Sequence, residues 1–183
     1  MSNYDPLIAP QDQIEKVKAT VGRTIYEILL KESELDVYEV LGSIEVLVSS
    51  KIGKGLETSP SERMVFALTW LAREVGSGGF RQFFINSAGD FWKDALHGLN
   101  AVGDETGRAM FRQCLSVFPN STPSIDRQTR LQQLATLEDE NERKLADHLS
   151  KSTASYFRDP FPQWNLIFNY VKSHPEEFDL RSA

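Results

Sequence analysis

The chain has 183 residues, 40% of them hydrophobic and 25% charged. That suits one domain burying roughly 70% of its unfolded surface and excludes disordered and fibrous classes. No apolar run approaches the ~20 residues a membrane span needs, and Met1 to Pro6 carry no export signal. The net charge of −6 argues against direct nucleic-acid binding, and the single cysteine, Cys114, excludes an internal disulfide and fits the reducing cytoplasm.

In chain order, residues 11–31 carry Ile14, Val17, Val21, Ile25 and Ile28 at helical spacing. Residues 33–50 repeat the pattern with Val37, Val40, Leu41, Ile44, Leu47 and Val48, which project onto an arc of about 120°. The run from Lys51 to Thr58, with two glycines, predicts a loop. Ser59-Pro60-Ser61-Glu62 then has the form of a capping box with proline at the first helical position. The helix it opens holds Met64, Val65, Phe66, Leu68, Trp70, Leu71 and Val75, an apolar face wide enough for the central helix. Trp70, Phe80 and Phe83 are expected in one core around it.

Gly76-Ser77-Gly78-Gly79 is predicted to stop that helix, with Gly79 in a backbone conformation costly for other residues. Short helices follow at Phe80–Asn86, Ala88–Val102 and Asp104–Phe118, then a loop at Pro119–Pro123. Residues 125–135 and 137–157 read as helices. Asp159–Pro162 predicts a break, and Trp164–Lys172 a last amphipathic helix. No segment alternates convincingly as a strand. The fold class is all-α, a single-domain bundle of about seven to nine helices.

Chemistry-bearing motifs are scarce. His97, His148 and His174 are scattered without ligand spacing and there is no cysteine partner for zinc, so no metal site and no cofactor are expected. No serine sits in a nucleophile elbow, and the glycine cluster lacks the Lys-Ser/Thr of a phosphate loop. Cys114 reads as a buried structural thiol. An enzyme would require Gln82, Asn86 and Asp90 to converge in a pocket with a perturbed histidine; none is expected.

Charge distribution is the remaining signal. Residues 1–50 hold nine acids and four bases, while residues 51–183 hold seventeen acids and sixteen bases. On a helix starting near residue 32, Glu32, Asp36 and Glu39 form one ridge, with Glu34 and Glu45 near the opposite edge of the polar face. The second acidic cluster, Glu138 to Glu142, falls in a first helical turn, where the macrodipole accounts for it.

The segment Glu74-Val-Gly-Ser-Gly-Gly-Phe-Arg-Gln-Phe-Phe-Ile-Asn86, with Gly89-Asp90 after it, resembles a bacterial helical domain family of largely unknown function typified by a DNA-mimic protein. Gly78, Gly79, Phe80, Gln82, Phe83 and Asn86 match its pattern, and Gly76-Ser77 stand where the family usually has Asn-Asn. Ala95-Leu96, Gly103 and Phe111 to Pro119 also fit, so the resemblance spans roughly residues 60–172. It implies an α-helical homodimer without enzymatic activity, presenting carboxylates as phosphate surrogates to the DNA-binding face of a transcription regulator. Duplex DNA carries one charge per ~1.7 Å of axis, so mimicry needs a dense acidic array. The matched motif, mostly glycine, aromatic and amide, is not that array. The partner-binding candidates are therefore Glu32, Glu34, Asp36, Glu39 and Glu45, facing a basic protein partner. The alternative is a helical scaffold or regulatory subunit that binds through apolar surface.

Overall fold

In the computed structural model of the protein, residues 37–137, 139–141, 143 and 160–178 are described. Helix α1 (Val37–Gly53) buries Val40, Leu41, Ile44, Leu47 and Val48, the stripe its periodicity predicts. It runs further than expected, taking in Lys51 to Gly53 of the predicted loop. The cause is tertiary: the Lys51 ammonium reaches Glu62 Oε1 at 2.7 Å and is buried with it.

Helix α2 (Pro60–Ile85) opens on the predicted capping box. Ser59 Oγ accepts from the Glu62 amide at 3.1 Å, and the Ser59 amide donates to Glu62 Oε2 at 2.9 Å. Glu62 thus caps α2 with one oxygen and holds Lys51 with the other. Residues Met64 to Ala72 are buried without a break, so α2 is the central helix, packed on α1 and on the elements that follow it.

The glycine cluster interrupts α2 where the sequence predicts a stop, and two helical segments meet there at a kink. Gly78 (φ −149°, ψ 15°) and Gly79 (φ 76°, ψ −178°) leave helical geometry, and the helix resumes at once through Ile85. The segment from Phe80 to Ile85 is the short helix predicted after the glycines. It buries Phe80, Phe83 and Phe84, and that burial holds it close against the first segment.

A 3₁₀ turn, Ser87–Phe91, leads into α3 (Trp92–Ala101), and α4 (Glu105–Leu115) follows with Asp104 as its N-cap. Asp126 caps α5 (Arg127–Ala135). Helix α6 begins at Pro160 and runs to Ser173, so Pro160 to Pro162 of the predicted break form a helix start. Proline suits a first turn, where its missing N–H has no intrahelical partner to lose. A final 3₁₀ turn, Pro175–Glu177, brings Phe178 into the core. The helix predicted over 11–31 lies outside the described residues, and that over 137–157 largely does.

The fold is all-α, with no strand among the described residues. One hydrophobic core joins α1 to α6, and Trp70, Phe80 and Phe83 all belong to it. Phe111 of α4 is its aromatic centre, with ring centroids 5.9 Å from Phe80, 5.7 Å from Phe83 and 5.9 Å from Phe84. Phe118 closes the group against Phe84 at 4.8 Å. Cys114 is buried as expected, and burial pushes its thiol far above the ordinary range, making it inert.

Candidate functional site

The motif segment builds two polar nodes at the bend of α2. In the first, Glu74 Oε2 accepts from Gln82 Nε2 at 2.7 Å and from Asn86 Nδ2 at 2.9 Å, bridging the turns before and after the bend. Gln82 lies over Gly78 so closely that a Cβ there would fall 1.8 Å from Gln82 Oε1. The glycines and the amides are therefore one device. Gly79 supplies the bend, Gly78 makes room for the glutamine, and the carboxylate fastens it.

The second node is centred on Arg130, a residue the sequence presents only as part of the polar run Arg127-Gln-Thr-Arg130. Its side chain is 0% exposed. Nε donates to Phe84 O at 2.7 Å, and Nη1 donates to Ser124 O at 2.7 Å and Ile125 O at 3.3 Å. Nη2 donates to Asn86 O at 3.0 Å and to Asp90 Oδ1 at 2.6 Å. These contacts match the five N–H donors of a guanidinium. Gly89 is part of the same device, since a Cβ on it would lie 2.7 Å from Arg130 Nε. Gln82, Asn86 and Asp90 thus do not converge in one pocket. The two amides serve Glu74, and Asp90 serves Arg130. Nothing in the sequence separates Arg130 from a solvated arginine. Its partners Asn86 and Asp90 lie 44 and 40 residues back in the chain, so no local spacing links them to it.

The expected acidic surface is changed by the structure. Glu45 does not share it: its side chain is 8% exposed, and Oε1 accepts from Arg73 Nη1 at 2.7 Å across α1 and α2. Helix periodicity places Glu45 at the edge of the polar face but cannot foresee that α2 covers that edge. Glu32, Glu34 and Asp36 lie outside the described residues, as does the side chain of Glu39. Among the described residues from α2 to α5, most carboxylates already serve the fold. Besides Glu62, Glu74 and Asp90, Asp94 takes Arg63 in a paired contact at 3.1 and 2.9 Å, and Glu105 takes Arg108. Asp104 and Asp126 cap helices.

Burial raises the Glu45 carboxyl above its ordinary range, against the opposing pull of Arg73, and Oε2 is buried without a hydrogen-bond partner. A raised carboxyl contributes stability that is complete below its unfolded value and is lost as pH rises through its folded value. Glu45→Gln is therefore expected to flatten this pH dependence at little cost. Arg73→Met, which strands the carboxylate, should cost about 1–3 kcal/mol, and the double variant should recover most of that. Denaturant midpoints of the four proteins at pH 5 and 7.5 measure it; equal losses in both single variants would contradict the burden assigned to Glu45.

A third cluster fastens the end of the described chain to the start of α2. Ser59 Oγ donates to Glu177 O at 2.8 Å, Ser61 Oγ donates to Glu177 Oε2, and Tyr170 OH donates to the same oxygen at 3.0 Å. His174 stacks on Tyr170 with centroids 4.3 Å apart. The bond from Ser61, with that from Tyr170, holds the Glu177 carboxyl below its ordinary range, which makes it a poor base for activating the serine. The arrangement is a clasp. Its contribution is present above the unfolded value of 4.5 and is lost as pH falls through the lower folded value. Urea midpoints measured from pH 3 to 6 should fall more steeply in the native protein than in Glu177→Gln; superimposable profiles would remove the clasp.

Between α2, α3 and α6, Leu68, Leu99, Asp104, Gln163 and Ile167 line a cavity of about 10 Å³. That volume holds about one water molecule.

A family model described as DMP19-like protein matches residues 57–174. Comparison with curated proteins and with solved structures finds no match.

Proposed function

This chain belongs to the DMP19-like protein family, and from that premise we propose a non-enzymatic binding protein that mimics DNA, its acidic N-terminal part occupying the basic DNA-binding face of a regulatory protein. One observation carries the reading. Among the described residues, the carboxylates of the family-matched core are largely engaged in ion pairs, caps and amide contacts, whereas the acidic excess of the sequence sits in residues 1–50, outside that match. Acids without a structural task in the core are the ones available to a cationic partner. With Glu45 buried, the contacting residues are Glu32, Glu34, Asp36 and Glu39.

The scaffold alternative needs a contiguous apolar surface. Among the described residues only Leu56, 45% exposed, and Ile125, 60% exposed, are large hydrophobic side chains open to solvent, and isolated residues of this kind are ordinary. That favours the electrostatic reading.

Replacing Asp36 and Glu39 by Asn and Gln should slow association with the partner captured from native cytosol, with a smaller effect on dissociation. The effect should shrink as salt rises, because screening shortens to about 8 Å at physiological ionic strength. The fold should survive, since exposed like charges stabilise little. Unaltered association kinetics at low salt would overturn the acidic site and return the scaffold reading.

A further inference from the structure

We draw no further inference here: the strongest candidate, the Ser59–Ser61–Tyr170–Glu177 side-chain cluster at the N-terminus of α2, binds its own hydroxyls and carboxylate to one another, and nothing in the structure points to a ligand there.

Discussion

Arg130→Met should lower the unfolding free energy by about 3–5 kcal/mol, the loss typical when one partner of a buried charged network is removed. Phe84 O, Asn86 O, Ser124 O and Ile125 O would each lose a hydrogen bond, Asn86 O keeping the one from the Gly89 amide, and Asp90 would lose its cation. Hydrogen bonds to a charged group contribute about 1.5–3 kcal/mol each, a loss the methionine's packing only partly offsets. Arg130→Lys should be nearly as damaging despite keeping the charge. An ammonium has three donors on one atom and cannot reach acceptors arranged around a planar fork. The loop at 122–126 and the C-terminal turn of α2 should lose hydrogen-exchange protection first, because the guanidinium joins them. Equal denaturant midpoints for native and Arg130→Lys protein would show that positive charge, not the fork, holds the node.

Gly79→Val should cost more than the ~1 kcal/mol typical of a point substitution, since the position requires φ 76° with ψ −178°, a region open in practice only to glycine. Holding another residue there costs on the order of 1–3 kcal/mol, and a β-branched side chain stands at the upper end. Two consequences should follow. The denaturant midpoint should drop, and near-ultraviolet circular dichroism should weaken as Phe80, Phe83 and Phe84 shift around Phe111. A valine variant with the native midpoint would show that the bend is not demanded by the packing.

The two variants test one idea from opposite sides. The matched motif is architectural: its glycines bend α2, its amides fasten the bend through Glu74, and its carbonyls and Asp90 receive Arg130. A motif with this task can be shared across a family without sharing a partner. For this reason the proposed function rests on the acids outside the matched residues and not on the motif.

Much of the fold was legible in the sequence because it follows from local chemistry. Ser59 to Glu62 announce a cap through spacing alone, and the α1 stripe from Val37 to Val48 identifies its buried face through the helical period. Gly79 was legible as a special backbone position, since two glycines before an aromatic residue leave few other readings. Trp70, Phe80 and Phe83 were legible as core because burial of large apolar area dominates their placement.

What only the tertiary structure decided are the matters that depend on a second element. The helical segment beyond Gly78 and Gly79 takes its direction from Phe80, Phe83 and Phe84, which are buried around Phe111 of α4. Lys51 continues α1 because Glu62, eleven residues away, receives it. Glu45 leaves the acidic surface because α2 brings Arg73 over it, and Arg130 is buried because carbonyls from distant segments surround its fork. Periodicity assigns a side chain to a face of its own helix. Whether a charge on that face meets water or a partner depends on long-range packing, where desolvation and pairing nearly cancel, and the sequence pattern carries no record of that balance.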